Sequence, residues 1–199
     1  MKIKLTLFVS FFLLLSISAF SQTYKENIKK DFKYLNDLII SGQYDEAIDL
    51  FPKEIVEATS REQLKAAFTQ LLNSKDFKAS IMEYEIIEVS QPEKIDSAYY
   101  AALRYSSKVQ MTFTPPENET QEAKTDRLQR IKLGLSNAFG SDKVQLEEST
   151  GTFTMTPIKR SYAISANGKS NWKFVNIEPT QRVIMEKVLP KQLLDRELN

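Results

Sequence analysis

Cysteine and histidine are both absent from this 199-residue chain. Their loss removes the commonest general base, the commonest metal ligand and the thiol nucleophile together. Zinc, haem and iron-sulfur centres lose their usual ligands with them. The carboxylates that remain do not have calcium-loop spacing. Asp45-Glu46 and Glu147-Glu148 are adjacent pairs, and adjacent residues on a helix do not face each other. The expectation is therefore no metal, no cofactor and no catalytic residue. An excess of one charge is missing too: 27 basic side chains meet 26 acidic ones, so no nucleic-acid footprint is present. No stretch after Gln22 is free of charge for long enough to span a bilayer, and there is no internal repeat or low-complexity tract.

What is present begins at the first residue. Lys2 and Lys4 precede an uncharged, largely apolar run from Leu5 to Ile17, 13 residues long, short of the roughly 20 that a spanning helix needs. Small residues follow at Ala19 and Ser21. This order predicts a signal peptide over residues 1–21, cut between Ser21 and Gln22. The chain from 22 to 199 is then expected to be an exported protein, periplasmic or secreted, soluble and without a transmembrane span. Losing Lys2 and Lys4 shifts the formal net charge from +1 to −1. What remains fits one domain and is long enough to bury a core without cross-links. The Asn118-Glu119-Thr120 sequon reads as a polar loop.

Helices come first along the body. Ile28, Phe32, Leu35, Leu38 and Ile39 recur at steps of three and four, which predicts an amphipathic helix from about Lys25 to Ile40 that stops at Gly42. A second short helix carries Tyr44, Ala47, Ile48 and Phe51 and breaks at Pro52. Ser60 and Gln63 form a capping-box pair that opens a third, with Leu64, Ala67, Phe68, Leu71 and Leu72 inward.

From Ala79 to Ser90 the period becomes two, with Met82, Tyr84 and Ile86 on one side, Ile87 and Val89 on the other, and a bulge near Ile86-Ile87. A turn over Gln91 to Asp96 leads to the clearest strand. There Tyr99, Ala101, Leu103, Tyr105, Val109, Met111 and Phe113 alternate with a wet face of Tyr100, Arg104, Ser106, Lys108, Gln110 and Thr112. Pro115-Pro116 ends it, and an inserted helix carries Leu128, Ile131, Leu135, Ala138 and Phe139 up to Gly140. A short strand follows at Val144-Leu146, then a turn over Ser149 to Gly151 and a long strand over Thr152–Ser165, bent at Pro157. Asn167-Gly168 predicts a tight hairpin turn, Trp172, Phe174, Val175 and Ile177 the returning strand, and Val183 to Leu194 a pair of short C-terminal helical segments.

This element order, together with the junction Ser41-Gly42-Gln43-Tyr44-Asp45-Glu46-Ala47, resembles the nuclear-transport-factor-2-like group of cystatin-like α+β folds over roughly Tyr24 to Glu178. Residues 115–150 are an insertion relative to that pattern, and 180–199 a C-terminal extension. The chain is also similar to exported bacterial proteins of this size, of unassigned function, that carry a motif like Leu189-Pro190-Lys191 near the end. The resemblance implies an α+β fold in which N-terminal helices pack in a strongly curved antiparallel sheet, a cone whose open end is a pocket in many relatives. Fold does not fix function, and that group includes isomerases, dehydratases, immunity modules and structural domains.

Relatives that act as isomerases use an aspartate base beside tyrosine donors in an apolar pocket. Tyr84, Tyr99 and Tyr105 would supply the donors here, but no acid interrupts the inward face from Tyr99 to Phe113. Tyr84, Tyr99, Leu103, Tyr105 and Trp172 are therefore the candidate pocket-lining residues, the indole N–H of Trp172 being expected to bond backbone or water. Arg104 and Lys108 read as a solvated sheet face. The basic residues Lys124, Arg127, Arg130 and Lys132 are offset by Glu117, Glu119, Glu122 and Asp126. The expected function is a non-enzymatic exported binding module for a small apolar ligand or an envelope protein. The alternatives are a metal-independent isomerase or lyase of the same fold, and a structural subunit of an envelope assembly.

Overall fold

The computed structural model of the protein describes residues 23–72 and 74–198. The expected leader over 1–21 and its cleavage point at Ser21 and Gln22 lie outside these. The described chain is α+β, with seven α-helices and an open, antiparallel, seven-stranded sheet.

Helix α1 covers residues 23–40 and buries Ile28, Phe32, Leu35, Leu38 and Ile39, the stripe that its periodicity predicts. Gly42, at φ +75°, ends it, and the Gln43 N–H returns to the Leu38 carbonyl at 2.9 Å. A left-handed residue just past a helix exposes the last carbonyls to such return bonds. Helix α2 is Tyr44–Asp49. Pro52 does not simply break the chain: it opens a further helix, α3, over Lys53–Thr59, which buries Ile55. Proline lacks only the N–H that a helix start leaves unpaired, so Pro52 suits the start of α3, while α2 has already ended at Asp49 with Leu50 as its C-cap. Helix α4, Arg61–Leu72, starts with the Gln63 N–H donating to Ser60 Oγ at 3.3 Å, yet buries none of its residues.

The sheet is organised around one long strand, β3. Strands β1 (Phe77–Val89) and β2 (Glu93–Ile95) pair along one edge of β3 (Ala98–Phe113). After helix α5 (Gln121–Phe139) come β4 (Val144–Glu147), β5 (Thr152–Met155), β6 (Ile158–Ser165) and β7 (Lys173–Asn176). Strands β5 and β6 lie end to end on the other edge of β3 in one unbroken register: Val109 faces Met155 and Ser106 faces Ile158, while the Ser107 N–H donates to the Pro157 carbonyl. Pro157 thus marks the bend without shifting the ladder. Strand β4 flanks β5 and β7 flanks β6.

Two bulges act on β1, where one was expected. The register slips between Ile81 and Glu83 and again between Ile86 and Glu88. Each extra residue resets the alternation, so Ile81, Tyr84, Ile86 and Val89 all turn to the core. The bulged residues Met82 and Ile87 face solvent, 52% and 42% exposed, so two expectations are corrected: Met82 does not share a side with Tyr84 and Ile86, and Val89 does not share one with Ile87.

The predicted tight turn at Asn167-Gly168 is also corrected. Residues 166–172 form a wider loop in which Asn167 Oδ1 accepts from the N–H groups of Lys169 and Ser170. Only Gly168 of the pair has positive φ, and a two-residue hairpin of the expected type needs both. The sharp hairpin is at Asp96-Ser97, where Ile95 pairs with Ala98 and Asp96 takes φ +53°.

Helices cover both faces of the sheet. On the inner face α1 packs against Ala101, Leu103, Tyr105, Ala163 and Phe174. Farther along the same face α5 lays Leu128, Ile131 and Leu135 on Val109, Met111, Phe153 and Met155. Helices α6 (Arg182–Val188) and α7 (Lys191–Leu198) pack on the outer face, against Tyr100, Ala102, Tyr162, Ile164 and Val175. The outer face of β3 is therefore wet only from Arg104 onward, and the extension is a structural layer. The residues that hold it are Met185, Leu189, Leu193 and Leu194, all at most 5% exposed.

Candidate functional site

Between the two patches covered by α1 and α5, the inner face is left thinly roofed. The side chain of β3 shrinks there to Ser107, the bend between β5 and β6 contributes Pro157, β6 contributes Lys159, and α4 lies above with Phe68, Leu71 and Leu72. A hollow of about 260 Å³ occupies this strip, walled by Ile39, Phe68, Leu71, Tyr84, Tyr105 and Met111. A second of about 390 Å³ continues toward Phe51, Phe174 and Met185. The two share Asn36, Ile39, Phe68, Leu71, Tyr105 and Asn176, so they are two lobes of one apolar space beneath α4. A third hollow, of about 490 Å³, opens between α1 and β1 beside Asn36 and Tyr84, with Lys29, Lys33, Asp37, Glu83 and Glu85 among its walls.

The floor is aromatic. Phe32 packs edge-on against Tyr105 at 4.8 Å, Phe174 at 5.1 Å and Tyr84 at 6.0 Å between ring centroids. Such tilted contacts set the positive ring edge against the negative face. The roof ring, Phe68, stacks on Tyr44 at 5.5 Å. The polar groups that face the space are few. The Tyr105 hydroxyl donates to Asn176 Oδ1 at 3.1 Å, and Lys159 Nζ donates to Glu178 Oε1 at 3.1 Å. Asn36, 6% exposed, donates through Nδ2 to the Phe32 carbonyl at 2.7 Å.

Burial holds the Tyr84 and Tyr105 hydroxyls well above the usual phenol range, with the Glu178 carboxylate adding to the effect at Tyr105. Tyr162, on the outer face, is pushed up to about 12 by burial and by Glu197, which accepts its hydroxyl at 3.1 Å. In an acid whose folded pKa is raised, the folded chain stays neutral while the unfolded chain ionises. The stability that these phenols confer is complete below pH 10, the ordinary value, and declines as pH rises toward the folded values. Of the eight tyrosines, Tyr84 and Tyr105 should be missing from the reversible phenolate titration near pH 10 and ionise only as the far-ultraviolet circular dichroism is lost, while Tyr162 and Tyr100, whose hydroxyl burial also raises, should titrate late. Full titration of all eight with the dichroism unchanged would contradict the placement.

The five candidate pocket residues divide. Tyr84 and Tyr105 line the space. Tyr99 and Leu103 line none of the three hollows: Leu103 is core at 2% exposure, and Tyr99 lies against Gly168 in the hairpin loop. Trp172 is core as well, at 3% exposure. Its backbone N–H donates to Asp31 Oδ2 at 2.9 Å, and its indole Nε1 has no partner among the described residues. Asn36, Phe68, Asn176 and the Lys159–Glu178 pair were not singled out from the sequence. Only Phe68 had a signal there, as part of the third helix's apolar stripe.

An acid does stand near a tyrosine here, but its geometry is not that of a general base. Glu178 is committed to Lys159, and the Tyr105 hydroxyl points to an amide. No group of three or more potential metal ligands gathers among the described residues. Among them, too, no helix is long and apolar enough to cross a membrane. Comparison with protein families, with curated proteins and with solved structures finds no match for this chain.

Proposed function

We propose that this protein is a non-enzymatic binding module that holds a small apolar ligand in the two-lobed space beneath α4. The observation that carries the reading is the roof. Helix α4 has an apolar stripe at Leu64, Phe68, Leu71 and Leu72, buries none of these fully, and leaves Leu71 54% exposed above an aromatic floor. Close packing is the rule in protein interiors, and a space of this size with a few convergent polar groups fits a ligand site. Helix α1 laid across the inner face of a sheet whose first strand is twice bulged also supports the curved sheet of the nuclear-transport-factor-2-like group. We further propose export of the body of the chain after cleavage at Ser21, on the strength of the leader's pattern.

An enzymatic alternative would recruit Glu178 as base, and it would first have to break the bond to Lys159. An assembly surface would need contiguous exposed apolar area. Leu133 and Val183, 63% and 71% exposed, lie on separate helices, α5 and α6.

A saturating apolar ligand at a hundred times its Kd is expected to stabilise the fold by about 2.7 kcal/mol, a rise in Tm of about 5–10 °C for a domain of this size. Leu71→Asp puts a charge into the roof at a half-exposed position, so it should abolish that rise while leaving the ligand-free Tm almost unchanged. A protein that carries no bound molecule after gentle purification, and whose melting no apolar compound shifts, would rule the proposal out.

A further inference from the structure

Strand β1 lies at the edge of the sheet, for among the described residues it pairs with β3 alone. The bonds of β3 fix which way its neighbour's backbone points. The Ser90 N–H donates to the Ala102 carbonyl and the Ser107 N–H to the Pro157 carbonyl, so even-numbered residues of β3 bond toward β1 and odd-numbered ones toward β5 and β6. Between its two bulges β1 sets Tyr84 opposite Ser107 and Ile86 opposite Tyr105. The N–H and C=O groups of Tyr84 and Ile86 therefore point out of the sheet, to the free edge. The same stretch, 82–86, lines the groove of about 490 Å³ between β1 and α1. Two half-exposed apolar side chains, Ile40 and Met82, stand in its walls.

We infer that this groove takes an extended peptide segment in which basic residues alternate with apolar ones, laid beside β1 as an added strand. A free strand edge facing a helix across a groove is suited to strand addition, in which main-chain bonds hold the peptide and alternate side chains select it. Residues of the added strand opposite Tyr84 and Ile86 turn toward α1, where Phe32 and Ile40 give them apolar neighbours. Lys29 and Lys33 stand on the same wall, Lys33 bonded to Asp37 at 2.6 Å, and disfavour a cation there. Residues opposite Glu83 and Glu85 turn to the outer face. Both carboxylates are exposed, face Lys108 and Ser106 across the β3 pairing, and have no ion pair among the described residues. Opposite charges across a strand pair attract and like charges repel, so basic side chains suit these positions. A second copy joined through β1 about Tyr84 would set Glu83 of each copy against Glu85 of the other, and the same charges disfavour that pairing.

End-capped peptides of alternating lysine and valine test this with the full chain, by calorimetry at physiological salt: the parent, a version with glutamate for lysine, one N-methylated at its valines and one N-methylated at its lysines. The parent is expected to bind, and amide hydrogen exchange at Tyr84 and Ile86 to slow about tenfold at about nine-tenths occupancy. Methyl groups on the lysine nitrogens face solvent and should change little. Methyl groups on the valine nitrogens remove the donors that face β1 and should abolish binding. Glutamate for lysine should cost about tenfold or more, because two cross-strand pairs turn repulsive, and Glu85→Lys should weaken the parent about two- to thirtyfold. The inference is overturned if the parent does not bind, if the glutamate or the valine-methylated peptide binds as well as the parent, or if binding leaves the Tyr84 and Ile86 amides unprotected. A dimer in sedimentation that protects those amides without peptide gives the edge to a second copy and overturns it too. None of these outcomes bears on the space beneath α4, which is read with apolar compounds.

Discussion

Phe153→Ala is expected to cost about 3–5 kcal/mol, the range for removing a large buried aromatic. Phe153 is fully buried, the largest such side chain among the described residues, and its ring meets Phe113 edge-on at 5.8 Å. It stands on β5, the middle strand of three, paired to Met111 of β3 and Leu146 of β4, and packs with Leu128 of α5. A void there cannot be filled by collapse, because backbone ladders hold both neighbouring strands in place. Chemical denaturation should give the full loss with an unchanged slope, since the unfolded surface is the same. A cost below about 1 kcal/mol, the scale of a surface change, would mean that α5 and the β4–β5 hairpin do not pack as described.

That cluster also shows what periodicity can deliver. The stripe Leu128, Ile131 and Leu135 was legible because a helix with one buried face repeats every three to four residues, and the face it covers alternates at Val109, Met111 and Phe113. Helix α1 and the long strand β3 were legible for the same reason. What escaped were features that depend on two segments at once. The Met82 bulge is a mismatch between β1 and β3, and no single-strand pattern reports it. The layer formed by α6 and α7 was readable as amphipathic, but the face of the sheet it would cover was not. Tyr100 and Ala102 share the outer side of β3 with Arg104 and Lys108, and α6 and α7 cover only the first two.

The candidate site was legible to a smaller degree. Aromatic residues on a strand face select Tyr84 and Tyr105, and equally Tyr99, Leu103 and Trp172, since any apolar inward residue satisfies that pattern. A hollow is a property of spacing between layers. It arises here because α4 roofs the sheet loosely where β3 carries Ser107. Asn36 was hidden for another reason: among the polar residues of α1, which include Asn27, nothing in the sequence marks it as the one the fold buries. The Lys159–Glu178 pair joins residues nineteen apart in sequence across the β6–β7 edge, a proximity that only the hairpin register creates.

Gly168→Ala should be the most damaging single-methyl addition at a glycine. Its backbone sits at φ +70°, and a Cβ there would stand 2.8 Å from two atoms of the Tyr99 ring, closer than any relaxed contact. The left-handed backbone costs about 1–2 kcal/mol for a residue with a Cβ, and forcing a methyl into filled space adds about 1–3 kcal/mol. The ring cannot swing aside cheaply, since its near atoms include Cγ, at the base of the side chain, and the loop is tied to α1 by Asn27 and Asp31. Gly42 provides the control: its φ is +75°, but a Cβ added there would meet nothing within 4 Å, so Gly42→Ala should cost only the backbone part, about 1–2 kcal/mol. Adding Tyr99→Ala should make Gly168→Ala cost no more than Gly42→Ala does, because the double-mutant cycle removes the steric part alone. Equal losses for the two glycine variants in the wild-type background, measured by thermal denaturation, would show that the Tyr99 ring does not press on the hairpin loop.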